Sequence, residues 1–426
     1  MKLEKYQKIG SKFLADNFHS LLGDDMGLGK TAQAIHACDI VNTQKVVVVC
    51  PASVKEHWRG EFEKWSKWDR RISVIANGRH SFDKDADVVI VNYELLLRER
   101  ILTALKEEDW GVMICDEAHY LGHLTSLRTK AVLGNFGLAR NAAYKWMLTG
   151  TPIESRPVTL FPMLYTLARK ILGNYNTYEK FVMRYCDGYY DKITGKPMPN
   201  GASNELELKE MLGGFMLRRT LENELPKTDV QVVRFEKNIK LAKLETELSD
   251  EDREDFMFKP MEELGALASL RQEVALAKLP QCIDYIKDSM KVLDKLVIFA
   301  YHRSVINMLY EALSKFNPVR FYGGLTTGQR ENVKNVFIKD PKCKIFIGQL
   351  KAAGTGLDGL QEVAHHMMFV EIDWVPFKQC IGRLKRKGQK QDRVVVQMLV
   401  CKDSIEEQML GTVGSKLKSI DKILGD

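Results

Sequence analysis

No apolar run in the 426-residue chain approaches the about 18 residues that a membrane-spanning helix needs. The opening stretch MKLEKYQKIGSKFL reads as an amphipathic helix interrupted by charge, which is unlike a signal peptide. The expectation is a protein that stays inside a cell: cytoplasmic if prokaryotic, or viral in a bacterial host, and nuclear if eukaryotic. Cysteine is sparse and unpatterned. There are eight, with no CxxC pair, and Cys50, Cys115 and Cys343 sit within apolar runs, a distribution that suits buried reduced thiols and not a disulfide framework or zinc cluster. Charge of one sign is not in great surplus: the formal balance is +7, which permits a polyanionic partner without demanding one. One glycine is also missing. In GDDMGLGKT, Gly23 to Thr31, the general phosphate-loop pattern asks for glycine five residues before Gly29, and Asp24 stands there.

The length favours two domains. In the first half, VVVVC (46–50), DVVIV (87–91), GVMIC (111–115) and KWMLTG (145–150) read as buried strands, alternating with helical patterns such as Lys30 to Val41. That alternation predicts an α/β fold with a largely parallel sheet covered by helices on both faces. From about residue 155 the rhythm breaks, and DGYYDKITGKPMPNGASN reads as a surface loop or short hairpin. An acidic stretch, ETELSDEDRED, precedes a helix expected near Met261 to Ala277. Strand patterns resume at Lys295 to Ala300, Pro318 to Gly324, Cys343 to Gly348, His365 to Ile372 and Asp392 to Val400. The expected division is a first lobe over 1–225 with its helical insertion, a helical linker over 226–280 and a second lobe over 281–426.

The loop precedes a credible helix, whose N-terminal amides favour an anion. Gly27 and Gly29 permit close approach, Lys30 can reach terminal phosphates, and the Thr31 hydroxyl can complete magnesium coordination. A glycine-rich turn feeding a surface helix is the plainer alternative. CDEAH, Cys115 to His119, follows an apolar strand, where Asp116 can orient magnesium and Glu117 can align an attacking water. Cys115, His119 and His123 are an alternative zinc set, without the HExxH order. In QCIGRLKR, spacings of four and three place Gln379, Arg383 and Arg386 on one face of a helix, with Lys385 and Lys387 projecting elsewhere. Arginine suits phosphate stabilisation through its permanent charge and planar fork of donors. The run RLKRKGQK, with five basic residues in eight, is otherwise an ordinary solvated face.

These motifs, in this order, resemble the two-lobed motor of superfamily 2 helicases, and particularly the SWI/SNF-family DNA-translocating ATPases. DDMGLGKT is similar to that family's nucleotide loop, which accommodates the missing glycine, and CPASVKEHWRGEFEKW, VNYELL, CDEAH and LTGTPI resemble the motifs that follow. FMLRRTLENELPK, Phe215 to Lys227, is similar to the family segment that joins the lobes. The resemblance implies two RecA-like lobes of the P-loop NTPase type with helical insertions, and a cleft that binds ATP and Mg2+. It implies nucleotide contacts from Gln7, as adenine reader, from the loop Asp25, Met26, Gly27, Leu28, Gly29, Lys30 and Thr31, and from Gln379. Arg383 and Arg386 become finger-type catalytic residues beside Lys30, Asp116 and Glu117, with Thr31 and Asp116 serving the metal. Coupling falls to His119, to Thr149, Gly150 and Thr151, and to Gly354, Thr355 and Gly356 in KAAGTGLDG. Arg218 and Arg219 acquire a nucleic-acid or bracing role, and Lys385 and Lys387 a backbone-binding one. WVP resembles the family's W-N-P element, with Val375 in place of asparagine. LRQEVALAKLPQCIDYI, Leu270 to Ile286, is similar to a segment of the fork-remodelling, strand-annealing subgroup.

The implied function is a DNA-dependent ATPase translocating along double-stranded DNA, forked or branched forms included. The chain begins near the Tyr6–Gln7 pair and ends soon after the arginine segment, so the expectation is a bare monomeric motor, targeted if need be by a separate protein, without a membrane partner. A conventional helicase that unwinds DNA or RNA, and a nucleotide-binding scaffold without turnover, are the alternatives.

Overall fold

The computed structural model describes residues 2–79, 82–153, 156–220, 226–237, 239, 242–243, 249, 252, 267–353, 357, 359–386 and 388–410. They fall into two compact units, one through residue 220 and one from 226 to 410.

The first unit contains β1 (His19–Leu22), β2 (Val46–Cys50), β3 (Ile72–Val74), β4 (Val88–Asn92), β5 (Trp110–Asp116) and β6 (Ala142–Leu148). A small antiparallel hairpin, β7 (Tyr189–Tyr190) and β8 (Pro197–Met198), and the short strand β9 (Met216–Leu217) follow. The sheet order is β3-β4-β2-β5-β6-β1-β9, and every pairing in it is parallel. β2 and β4 are buried at every position. That follows from their unbroken β-branched runs, which suit a strand covered on both faces. The helix Lys30–Ile40 buries Ala34, Ile35, Ala37 and Cys38 against one face, where Trp58 and Phe62 of the helix Lys55–Trp65 join the same core.

The second unit contains β10 (Lys227–Phe235), β11 (Leu296–Ala300), β12 (Val319–Phe321), β13 (Ile345–Gln349), β14 (His366–Phe369) and β15 (Arg393–Cys401). Their order is β10-β15-β14-β11-β13-β12, again parallel throughout. The expectation of a helical linker over 226–280 is corrected at its start. Residues Lys227–Phe235 form an edge strand paired along its whole length with Arg393–Cys401. Thr228, Val230 and Val232 recur with period two, and the pairing covers an edge of β15 that would otherwise stand open. The expected helix near Met261 is Leu267–Ser289, which continues through Pro280; residues 261–266 lie outside the described residues. All eight cysteines are free and buried. Burial pushes the thiols of Cys38, Cys186, Cys282 and Cys380 up to about 12.

Candidate nucleotide site

Three adjacent strands carry the candidate residues to one edge of the first sheet. In register, Leu22 of β1 and Asp116 of β5 both pair with Leu148 of β6. The chain leaves each strand at the same level: β1 into the loop at Gly23, β5 into Glu117, β6 into Thr149. The carboxyl ends of parallel strands are where α/β sheets bind ligands, because the loops there diverge and leave a crevice.

The loop turns into the helix at Gly29, which caps Lys30–Ile40 in the left-handed region with φ 69°, and Gly27 has φ 86°. Lys30 Nζ donates to the carbonyls of Asp24 at 2.7 Å and Asp25 at 3.2 Å, which folds the loop around the ammonium. Burial lowers the Lys30 pKa, against the pull of Glu117, Asp24, Asp116 and Asp25. A Cβ on Gly150 would lie 3.4 Å from Lys30 Nζ and 2.9 Å from Met26 Cγ, so the turn after β6 faces the loop. Leu28 is buried, and its carbonyl accepts from Gln33 at 3.0 Å and Gln7 at 3.3 Å. The Gln7 amide also accepts from Glu4 N at 2.9 Å, so both of its ends engage backbone. Thr31 occupies the first turn of the helix, partly exposed.

Asp116 is held on three sides. Trp58 Nε1 donates to Oδ2 at 2.8 Å, Glu117 N to Oδ1 at 3.0 Å, and Tyr93 Oη to the backbone carbonyl at 2.7 Å. Burial, then the neighbouring Glu117 charge, raises the Asp116 pKa to about 6, with the Trp58 bond acting in the opposite sense. Glu117 itself sits at φ 49°. His119, 4 % exposed, links the two turns: its Nδ1 lies 2.9 Å from Thr149 Oγ1, 3.4 Å from Thr151 Oγ1 and 3.3 Å from Glu117 Oε2.

Asp24 is not a defect in the loop. It is fully buried, and Arg219 grips both its oxygens, with Nε donating at 2.9 Å to Oδ1 and Nη2 donating to Oδ2. Gln33 donates to the same Oδ2 at 3.0 Å and accepts from Arg219 at 2.8 Å. Gly10 makes room for this cluster: a Cβ there would lie 1.8 Å from Gln33 Oε1 and 2.6 Å from Arg219 Nη2. Arg218 donates to the Gly23 carbonyl at 2.7 Å and to Asp25 Oδ1 at 3.1 Å. Of the two roles expected for Arg218 and Arg219, nucleic-acid contact or bracing, these bonds are of the bracing kind, made to the phosphate loop. β9 pairs Leu217 with Leu22, which sets both guanidinium groups beside the loop, and Arg219 Nη1 also donates to the Tyr6 carbonyl.

In the second unit, the helix Trp374–Ile381 holds Gln379, which is buried, and ends before Gly382. The amides of Arg383 and Leu384 reach back only three residues, to Cys380 and Ile381. Gln379, Arg383 and Arg386 consequently do not share one helical face as their spacing predicts; glycine weakens the helix where the run would continue. Arg383 is buried with Nη1 3.4 Å from the Leu357 carbonyl, whereas Arg386 and Lys385 are partly exposed. Gly354, Thr355, Gly356 and Lys387 lie outside the described residues.

The SNF2-related domain model matches residues 6–264, more than half of the 426. The chain belongs to the SNF2-related family. Among curated relatives of this SNF2-related chain is the human DNA annealing helicase and endonuclease ZRANB3, 32% identical, the match covering 97% of this chain and 40% of the relative. The SWI/SNF-related matrix-associated actin-dependent regulator of chromatin subfamily A-like protein 1 of Xenopus tropicalis is 29% identical, over 98% of this chain and 44% of its own. The chain thus spans about two-fifths of the length of these relatives. A Sulfolobus solfataricus SWI2/SNF2 ATPase core solved with dsDNA aligns over 99% of this chain and 97% of its own at 22% identity, with a TM-score of 0.47; the family assignment rests on the sequence match.

Three features of this SNF2-related site escape a reading by motif. Asp24, Gln33 and Arg219 form one buried network although Arg219 is 195 residues from Asp24. The available signal was the pair of adjacent acids in the loop matched by adjacent arginines in FMLRRT. Trp58 as the partner of Asp116, and Lys55, whose Nζ ties the carbonyls of Ile75 at 2.6 Å and Ala76 at 3.2 Å, had no signal beyond their place in the segment after β2.

Proposed function

We propose that the chain is a DNA-dependent ATPase that couples hydrolysis of ATP to ADP and phosphate to translocation along double-stranded DNA. The observation that carries this reading is the convergence of the phosphate loop, the Asp116–Glu117 pair and the Thr149–Gly150–Thr151 turn at one strand edge, with His119 bonded between the last two. Lys30 brings a cation and donors for phosphate oxygens, and Gly27 and Gly29 turn the backbone around the place they would occupy. The donor set also fits a magnesium ion at Thr31 and Asp116. A buried carboxyl raised by burial and by a neighbouring carboxylate is the environment a divalent cation relieves. When bound, that ion would supply positive charge to the transferring phosphate.

On this reading Glu117 orients the attacking water, and His119 transmits the state of that carboxylate to the Thr149 turn. Arg383 and Arg386 of the second unit supply further charge stabilisation on this reading, and Lys385 and Lys387 contact the DNA backbone. The test is phosphate release by the full chain with duplex DNA, single-stranded DNA and RNA at one ionic strength, alongside displacement of a third strand from a triplex. Stimulation by duplex with triplex displacement supports the reading; preference for RNA, or displacement no faster than without ATP, counts against it.

A further inference from the structure

Gln7 and Lys30, read as contacts to the two ends of a nucleotide, stand on different elements: Gln7 on the helix Lys5–Asp16 and Lys30 at the start of Lys30–Ile40. One side chain touches both helices and the loop that precedes the second. Arg219 Nη1 donates to the Tyr6 carbonyl, one residue before Gln7, while Nε and Nη2 grip the Asp24 carboxylate. Nη2 also donates at 2.8 Å to Oε1 of Gln33, on the same helix as Lys30. The guanidinium lies 5.6 Å from the centre of the Tyr6 ring. All three of its nitrogens are therefore engaged, and they serve three segments remote from it in the sequence.

The first turn of Lys5–Asp16 meets the loop at a second point. Gln7 Nε2 donates to the Leu28 carbonyl at 3.3 Å, and a Cβ on Gly29 would lie 2.5 Å from the same nitrogen. A base that took over the Gln7 amide would remove the Leu28 bond, whereas the bond from Arg219 to Tyr6 would remain. Farther along, Leu14 packs in one core with Ala34 and Cys38, which fixes the far end of the helix and leaves its first turn to these polar ties.

We propose that Arg219 is a positioning residue that fixes the spacing between the base contact at Gln7 and the phosphate contacts of the loop, so that a whole nucleotide meets both at once. The proposal rests on the reading of this site as an ATP site with Gln7 at the base. A ligand that engages both ends gains from a spacing set in advance, and a ligand that engages only the phosphate end does not. That difference separates spacing from a general support of the loop.

The experiment titrates the full chain with ADP, GDP and pyrophosphate, with magnesium present and DNA absent. Arg219→Lys keeps the charge opposite Asp24, but one ammonium cannot replace a fork that serves three segments; thermal unfolding verifies the fold. ADP affinity falls about tenfold, the scale of one hydrogen bond to a charged group, and the preference for ADP over GDP narrows. Pyrophosphate affinity stays within about twofold of wild type. In a Gln7→Ala background the same substitution costs ADP less than about threefold, because Arg219 acts through Gln7. Gly10→Ala, whose Cβ would lie 2.6 Å from Arg219 Nη2, displaces the fork from the helix side and shows the same split between ADP and pyrophosphate. Equal losses for ADP and pyrophosphate would overturn the proposal and assign Arg219 to the shape of the loop alone, and unchanged ADP affinity in folded Arg219→Lys would overturn it as well. Phosphate release by wild type with and without duplex DNA is measured in parallel. No stimulation with the split retained rejects the translocation reading and keeps the role of Arg219; stimulation with equal losses rejects that role alone. A wild type that binds ADP no more tightly than pyrophosphate rejects Gln7 as the base contact, and the spacing role with it.

Discussion

Beneath the phosphate loop, the fully buried Asp24 is held by Arg219, and in the second unit the fully buried Lys278 is held by Glu406, at 2.7 and 2.8 Å. Each pair joins distant chain segments, 195 residues apart in the first case and 128 in the second. Their surroundings differ. Asp24 shares its oxygens with Gln33, and its backbone carbonyl takes Lys30 Nζ, so the pair is continuous with the loop. Lys278 instead donates its remaining bond to the Leu399 carbonyl of β15 at 2.7 Å, where the helix Leu267–Ser289 lies against that strand. Both arrangements bury charge at a desolvation cost that the partner offsets. The first shapes a site; the second fastens a helix to a sheet. A buried ion pair therefore does not by itself imply one role, and the neighbours of the pair decide between them.

The comparison can be broken most severely at Arg219. Arg219→Ala leaves Asp24 buried without its main partner, with an expected loss of about 3–5 kcal/mol. Because the loop is part of the same network, nucleotide affinity falls as well; urea unfolding and nucleotide titration of the same sample check both. Lys278→Ala should destabilise by a similar about 3–5 kcal/mol while leaving turnover per folded molecule close to wild type. Replacing the pair together, Lys278→Met with Glu406→Leu, should recover stability to within about 1–2 kcal/mol, since an apolar pair needs no desolvation. Failure of that recovery would show that the second pair does more than fasten the helix.

A smaller effect sharpens the picture at Asp116. Its folded-state pKa is raised, so the folded chain keeps a proton that the unfolded chain releases between the usual carboxylate range and about 6. Its contribution to stability thus falls as pH rises through that window, whereas turnover, which needs the ionised form, rises. Trp58→Phe removes the hydrogen bond that favours the carboxylate and should move the acid limb of the turnover profile upward by about one pH unit. The smallest effect is the control: Lys12 and Asp16 pair at 2.9 Å with side chains 73% and 55% exposed, and Lys12→Ala should change stability by less than about 0.5 kcal/mol.

Much of the sheet framework was legible because parallel strands covered on both faces are unbroken apolar runs: Val46–Cys50 is the strand its residues predict. His19–Leu22 was not, although it carries the phosphate loop. Four residues beginning His-Ser have neither a long run nor alternation, and their burial comes from β6 and β9 on either side. Lys227–Phe235 was missed for the opposite reason, being an edge strand with no fully buried position. At the site, the phosphate loop and CDEAH could be placed from local order alone. The placement of Arg218 and Arg219 against the loop could not, because it depends on β9 returning beside β1. Spacing misled at Arg383 and Arg386, where a helical period was extended across Gly382 into a turn.

The central claim is that this site hydrolyses ATP in response to duplex DNA, and Glu117→Gln tests it most directly. Nucleotide affinity and steady-state phosphate release should be measured for wild type and variant across duplex concentrations, with thermal unfolding to verify the fold. Wild type is expected to be stimulated by duplex. The variant should bind nucleotide within about threefold of wild type, because the amide keeps the shape, and lose about a hundredfold or more in maximal turnover through loss of the carboxylate. A folded Glu117→Gln protein that turns over like wild type, or a wild type indifferent to duplex DNA, would contradict the account.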